Sequence, residues 1–195
     1  MQIELEKKYN LSKEDYKIIR DNFEFIKKVN LKDYYLDNNL KLLKNNHYLR
    51  LRNWEYELKI TSFNKETKMV SSEEYSNEEE INKIISKFNL TIDDCSWIIF
   101  IDTKREKYKH IYRWYTINID VEEYQYSNRY ELEIVYNEDN NENREKKENE
   151  LNIIIDDFRK EFWLTAISDE NSSKFITCAM YQNIDLYEIL TKTNI

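Results

Sequence analysis

The sequence contains no glycine and no proline in 195 residues. At ordinary usage the two together would fill about two dozen positions in such a chain. Without glycine there is no GxGxxG dinucleotide loop, no GxxxxGKS/T phosphate loop, no Gly-centred EF-hand and no GxSxG nucleophile elbow. Each of these needs a residue lacking Cβ at a tight turn or against a ligand. Any phosphate handled by this chain must therefore be held mainly by side chains. Turns that require φ > 0 must pass to Asn and Asp, and pairs such as Asn38-Asn39, Asn45-Asn46 and Asn140-Asn141 are available for them. Histidine is scarce: His47 and His110 stand apart, which argues against a histidine zinc site. Cys95 and Cys178 form no CxxC and read as reduced thiols of a cytoplasmic protein. No apolar run reaches the roughly 18 residues of a membrane span, and the charged start MQIELEKKY lacks a signal-peptide core. The balance of 30 Lys+Arg against 38 Asp+Glu gives a net charge of −8. That opposes wholesale binding to duplex nucleic acid or an anionic membrane, while leaving room for a local basic pocket.

The length suits a single domain over residues 1–195. Segment 2–9 alternates, with Ile3, Leu5 and Lys7 on one face and Glu4, Glu6 and Lys8 on the other, which is strand periodicity. Ser12 and Asp15 form a capping-box pattern ahead of a helix whose apolar stripe is Leu11, Ile19, Phe23 and Ile26. Residues 33–36 read as extended. Residues 47–52 and 56–61 form a hairpin about Asn53-Trp54-Glu55, followed by a strand at 68–75. Asn77 caps a helix with Glu78, Glu79 and Glu80 in its first turn. Strands follow at about 97–109, 111–121 and 128–136, then a polar run from Asn137 to Glu150, a long helix at 144–164 and shorter ones at 173–181 and 185–192. The fold class is α+β, with seven or eight strands, mostly in hairpins, in a largely antiparallel sheet that is either open or closed into a barrel.

Several strands carry charge on their polar face at i, i+2. The rows are Glu4, Glu6 and Lys8; Arg50 and Arg52; Glu57 and Lys59; and Glu131 and Glu133, with Asp120 between Ile119 and Val121. Any one row reads as the solvated side of an antiparallel sheet. Taken together, with acids segregated from bases, they also suit, as the second reading, the walls of a site for an anion and a hard metal. In such a site carboxylates recruit a divalent cation, and Arg and Lys hold phosphate oxygens.

These residues resemble the CYTH superfamily, the triphosphate tunnel metalloenzymes. Glu4-Leu5-Glu6-Lys7-Lys8 is similar to its ExExK signature, Tyr34-Tyr35 to its YYDT strand and Leu49-Arg50-Leu51-Arg52 to its LRxR segment. In order there follow Glu57-Leu58-Lys59, Glu73-Glu74-Tyr75, Thr103-Lys104-Arg105, Asp120, Glu131-Leu132-Glu133 and a late lysine, Lys174. Within the superfamily the chain looks most similar to thiamine triphosphatase. The resemblance implies an eight-stranded antiparallel barrel covered by helices, with the charged faces turned inward. It implies a hydrolase that removes the terminal phosphate of thiamine triphosphate or inorganic triphosphate with Mg²⁺ or Mn²⁺. Glu4, Glu6, Asp120, Glu131 and Glu133 would serve the metal, and Lys8, Arg50, Arg52, Lys59, Arg105 and Lys174 the triphosphate. Lys8 and Tyr34 would form the catalytic dyad orienting water. Glu74 is an additional candidate, and Arg113 and Tyr115 lie where they could face inward.

Two departures bear on the substrate. The acid of the YYDT-like segment is displaced to Asp37, and Tyr48 stands where thiamine triphosphatases can carry a tryptophan that stacks on the thiamine ring. The expected partner is a small-molecule triphosphate, without duplex nucleic acid or membrane, in a monomer or homodimer. An RNA 5′-triphosphatase, a nucleotide cyclase and a non-catalytic polyphosphate or nucleotide binder are the alternatives.

Overall fold

A computed structural model describes residues 2–66, 69–137, 144–164 and 174–192. Eight strands close into a barrel in the order β1-β5-β4-β3-β2-β6-β7-β8, every neighbouring pair antiparallel. They are β1 (Gln2–Asn10), β2 (Glu24–Asp37), β3 (His47–Arg52), β4 (Glu55–Asn64), β5 (Met69–Tyr75), β6 (Ser96–Tyr112), β7 (Tyr115–Tyr124) and β8 (Ser127–Asn137). The helices are α1 (Lys13–Asn22), α2 (Glu78–Ile85), α3 (Arg144–Glu161), α4 (Lys174–Gln182) and α5 (Ile184–Lys192). The α+β barrel expected from the sequence is thus the one observed.

The outward strand faces are apolar because helices cover them. Leu5, Ile119, Leu132 and Ile134 pack with Ile19 of α1 and Leu151, Ile155 and Phe158 of α3. Leu49 and Leu58 pack with Ile81 and Ile85 of α2. Full burial of a side chain such as Phe158, 0% exposed, is worth about 1.5–3 kcal/mol. Lys7 lies on this outer face, its ammonium 2.8 Å from Asp156 of α3. The expected Ser12–Asp15 capping box and the Asn77 cap are both formed.

Three boundaries differ from expectation. The helical stripe does not continue to Ile26, because α1 ends at Asn22 and β2 begins at Glu24. β2 is fourteen residues long rather than confined to 33–36; its first half lacks an apolar face, so alternation does not reveal it. The β6–β7 turn is Arg113-Trp114, with β6 running through residue 110. The expected strand and helix starts at 68 and 173, and residues 138–143 of the polar run, lie outside the described residues.

Without glycine, nine described residues hold positive φ: Asn39, Asn46, Asn53, Asn89, Leu40, Trp54, Arg113, Trp114 and Trp163. Asparagine takes four, as its tolerance of the left-handed region predicts. The β3–β4 turn (Asn53 φ 48°, Trp54 φ 76°) and the β6–β7 turn (Arg113 φ 47°, Trp114 φ 73°) put both central residues there. That is the type I′ arrangement matching strand twist, where the second position favours glycine. Both thiols are free, and among the described residues no helix is long and apolar enough to cross a membrane.

Candidate active site inside the barrel

Side chains directly opposite in an antiparallel ladder share a face, so the register shows which residues line the interior. One row across the wall reads Lys8, Glu131, Asp120, Lys107 and Lys27. The next reads Glu6, Glu133, Asn118, Lys109 and Glu24. Each row sets one acid directly against another: Asp120 against Glu131, and Glu6 against Glu133. Like charges so placed destabilise a sheet unless something compensates.

Bases supply part of that compensation. Lys59 places its ammonium 3.2 Å from Glu4, 3.4 Å from Glu6 and 3.3 Å from Glu74. Lys8 lies 2.7 Å from Glu6. Arg105 reaches Asp120 at 2.7 Å and also pairs with Glu122. Arg129 donates to Glu122 at 2.8 Å. Arg52 donates from two nitrogens to Asp33, at 2.6 and 2.9 Å. Arg50 donates to Glu57 at 2.7 Å.

The compensation is uneven. Burial, then Glu4, Asp120 and Glu6, push the Glu133 carboxyl up to about 8. Burial likewise raises Asp120 despite Arg105 and Lys107, and raises Glu4 despite Lys59. Burial also opposes ionisation of Glu6, but Lys59 and Lys8 outweigh it and hold this carboxyl well below the usual range. The bottom of the wall near Glu6 is therefore neutralised, while Glu133, Asp120 and Glu4 are short of positive charge. Asp120 Oδ1 is buried and, among the described residues, accepts no hydrogen bond.

α4 covers one end of the barrel. Phe175 sits edge-on to Tyr35 and Tyr48, with ring centroids 4.9 and 5.7 Å away. It shares a core with Ile99 and Ile101 on the inward side of β6. Lys174, at the start of α4, reaches Thr103 Oγ1 at 3.2 Å and the Glu122 carboxylate at 3.2 and 3.3 Å. Burial, reinforced by Arg129 and Arg105, brings its ammonium down to about 8 against the pull of Glu122.

This is a closed barrel whose interior wall alternates clustered acids with arginine and lysine. Residues 2–171 match the CYTH domain family. The chain belongs to this family. No curated protein matches the sequence. Among solved structures, the chain is similar to a proposed adenylyl cyclase from Hippeastrum, described as revealing a dominant triphosphatase activity. The TM-score is 0.64 and the identity 16%, over 93% of this chain and 97% of that one. A protein from Pyrococcus horikoshii OT3 aligns with a TM-score of 0.63 and 15% identity, over 94% and 100% of the two chains. A proposed adenylate cyclase from Bacillus halodurans aligns with 0.53 and 16%, over 86% and 93%. At these identities the likeness is one of fold.

On this CYTH barrel, the register and contacts turn Glu4, Glu6, Lys8, Arg50, Arg52, Lys59, Arg105, Asp120, Glu131, Glu133 and Lys174 into one interior, together with Glu74. Tyr34 is not among them. Asp33 and Tyr35 take the inward positions opposite Arg52 and Arg50, so alternation turns Tyr34 outward, against Phe100 (4.7 Å) and Trp97 (6.4 Å). The Lys8–Tyr34 dyad is therefore not assembled. Arg113 and Tyr115 are bound to α3 through Asp157 and Glu150. Asp37 accepts from the backbone of Asn38, Leu42 and Leu43 and fixes the loop after β2.

Sequence reading missed Asp33, Lys107, Glu122 and Arg129. Three of these were within reach of the spacing rule, each at i±2 from a residue already singled out: Lys107 from Arg105, Glu122 from Asp120 and Arg129 from Glu131. Asp33 is recognisable only through its long-range pairing with Arg52.

Proposed function

We propose that this CYTH domain is a divalent-metal-dependent triphosphatase whose substrate lies inside the barrel. The observation that carries the reading is the pair of opposed acids, Asp120–Glu131 and Glu6–Glu133, enclosed by arginines and lysines. A pure anion binder has no use for such acids, and a pure cation binder has none for the surrounding bases.

The residues fit a hard divalent ion. Burial outweighs the cations beside Asp120 and Glu4 and, with the neighbouring acids, raises Glu133, and among the described residues nothing donates to the buried Asp120 Oδ1. Among the described residues no three His, Cys, Asp or Glu side chains are gathered as they stand to hold an ion, because the acids are turned onto bases. Glu4, Glu6, Asp120, Glu131 and Glu133 would hold Mg²⁺ or Mn²⁺, directly or through water, and freeing them from their ion pairs is part of ligand binding. Such an ion, when bound, draws charge from phosphoryl oxygens.

The chain's own residues do the rest. Arg50, Arg52, Lys59, Arg105, Arg129 and Lys174 bind phosphate oxygens, arginine through its planar fork and lysine as a point charge. Their fixed positions in a closed barrel supply preorganised stabilisation of the charge that develops on transfer. Lys8, between Glu6 and Glu131, is the inward member left of the expected dyad and orients the attacking water without Tyr34. α4 shields that end from bulk water.

Inorganic triphosphate fits this site better than thiamine triphosphate. Tyr48, the candidate for stacking on a thiamine ring, is already packed against Phe175 at the covered end. The activity named for the Hippeastrum protein agrees with triphosphate cleavage. Phosphate release from inorganic triphosphate, thiamine triphosphate and ATP, compared at equal Mg²⁺ or Mn²⁺, tests the reading. Turnover is expected with inorganic triphosphate fastest; cyclic AMP as the main product from ATP would replace the reading with a cyclase.

A further inference from the structure

One ammonium, that of Lys59, serves three acids. It lies 3.2 Å from Glu4, 3.4 Å from Glu6 and 3.3 Å from Glu74. Two of the three have a second base, Lys8 at 2.7 Å from Glu6 and Arg50 at 3.5 Å from Glu74. Among the described residues Glu4 has none. A divalent ion beside Glu4 repels the Lys59 ammonium, and a phosphate oxygen attracts it. Glu4 is therefore the acid that loses its only cation when the site fills.

The wall residue beside Glu4 is Ser72. It stands directly opposite Glu4 in the β1–β5 ladder and opposite Thr61 in the β4–β5 ladder. It lies two residues before Glu74, which is itself opposite Lys59, so Ser72 shares the inward face with Glu4, Lys59 and Glu74. Ser72 is 1% exposed, and among the described residues its hydroxyl makes no hydrogen bond. A buried hydroxyl without a partner costs stability, and an alanine in this strand would avoid that cost. Such a group calls for an explanation, and a partner that arrives with the ligand supplies one.

Resting on the metal-dependent reading of the tunnel, we propose that Ser72 is a positioning residue for Glu4. When Lys59 leaves, the Glu4 carboxylate turns to the Ser72 hydroxyl, which donates to one of its oxygens and leaves the other free for the ion. Glu4 thereby exchanges a cation for a neutral donor, and its negative charge is kept for the metal instead of being cancelled. A hydrogen bond to a ligating carboxylate fixes its orientation. In the metal-free protein the hydroxyl goes without that bond because Lys59 holds Glu4.

The test titrates Mn²⁺ alone, read by its paramagnetic signal, into wild type, Ser72→Ala, Ser72→Thr, Glu4→Gln and the Ser72→Ala/Glu4→Gln double variant. Thermal unfolding of wild type and Ser72→Ala is followed in EDTA. Ser72→Ala should bind Mn²⁺ about tenfold more weakly, the scale of removing a group that orients a metal ligand. Ser72→Thr keeps the hydroxyl and should bind close to wild type. In the Glu4→Gln background the alanine substitution should change affinity by less than about twofold, because its effect runs through Glu4. In EDTA Ser72→Ala should unfold about 2–4 °C above wild type, since the partnerless hydroxyl is gone. Unchanged Mn²⁺ affinity, the result if buried water alone satisfies the hydroxyl, overturns the proposal. So does a tenfold loss in both backgrounds, or an alanine variant that unfolds below wild type in EDTA, which would make Ser72 a structural residue. Wild type that binds no Mn²⁺ discards the metal-dependent reading and this proposal with it; wild type that binds Mn²⁺ no better than Ser72→Ala discards the proposal alone.

Discussion

Glu133→Gln should make the metal-free protein more stable while removing its activity. The Glu133 carboxyl is pushed from an ordinary 4.5 up to about 8, so the folded state holds its proton more tightly than the unfolded chain does. The sign follows. Below about pH 4.5 both states are protonated and the residue costs nothing. Between about 4.5 and 8 the unfolded chain ionises freely, the folded protein does not, and stability falls as pH rises. At pH 7, about 2.5 pH units above the unfolded value, the cost is about 3 kcal/mol at roughly 1.4 kcal/mol per unit. Glu133 is only partly enclosed, and screening by solvent reduces this to about 1–2 kcal/mol. For a chain of this size that amounts to about 3–6 °C in Tm.

The assay is thermal unfolding of wild type and variant in EDTA at pH 4 and pH 8, with phosphate release measured in parallel. The variant should match wild type at pH 4, exceed it at pH 8, and lose about a hundredfold or more in kcat, the scale of removing one electrostatic contact to a transition state. A variant less stable than wild type at both pH values would show that Glu133 is a packing residue and refute the reasoning. A variant with full activity would remove it from the site.

Three further outcomes follow from the same charges and turns. Lys59→Met leaves Glu4, Glu6 and Glu74 without their shared cation and should cost about 3 kcal/mol in urea unfolding, less at pH 5 than at pH 8, with part of the loss restored by Mg²⁺. Binding of Mg²⁺ at pH 7 should release close to one proton per site from Glu133, and almost none at pH 9, as read by an indicator dye in weak buffer; equal release at both would contradict the assignment. Trp54→Gly, at an exposed turn position with φ 76°, should stabilise by about 1 kcal/mol by relieving a left-handed non-glycine residue and creating an Asn-Gly type I′ turn.

Much of this architecture was legible because the strand period is two. Glu4, Glu6 and Lys8 alternate with Ile3, Leu5 and Lys7, and inversion of the usual polarity — charge inside, apolar residues out under helices — follows once the barrel closes. Local alternation could not decide between Tyr34 and Tyr35. Adjacent tyrosines satisfy either phase, and only pairing with Arg50 and Ile99, far along the chain, turns Tyr35 inward. The first half of β2 was invisible for a related reason: its inward face carries Lys27 where a core residue would signal a strand. The placement of α4 over one end rests on the contacts of Phe175 and Lys174 with strands distant in sequence, which no local pattern encodes.

The missing glycine is resolved by the same geometry. Backbone phosphate loops are absent, and the site uses none, since every phosphate-binding group proposed is a side chain on a strand or at a helix start. The left-handed turns are met by asparagine and, at strain, by tryptophan, arginine and leucine.

The most direct test of this account is the rate of phosphate release from inorganic triphosphate as Mg²⁺ or Mn²⁺ is titrated into the purified protein. The account predicts turnover that rises with metal to saturation and stops on adding EDTA. Folded protein that binds triphosphate but releases no phosphate at any concentration of either metal would contradict it.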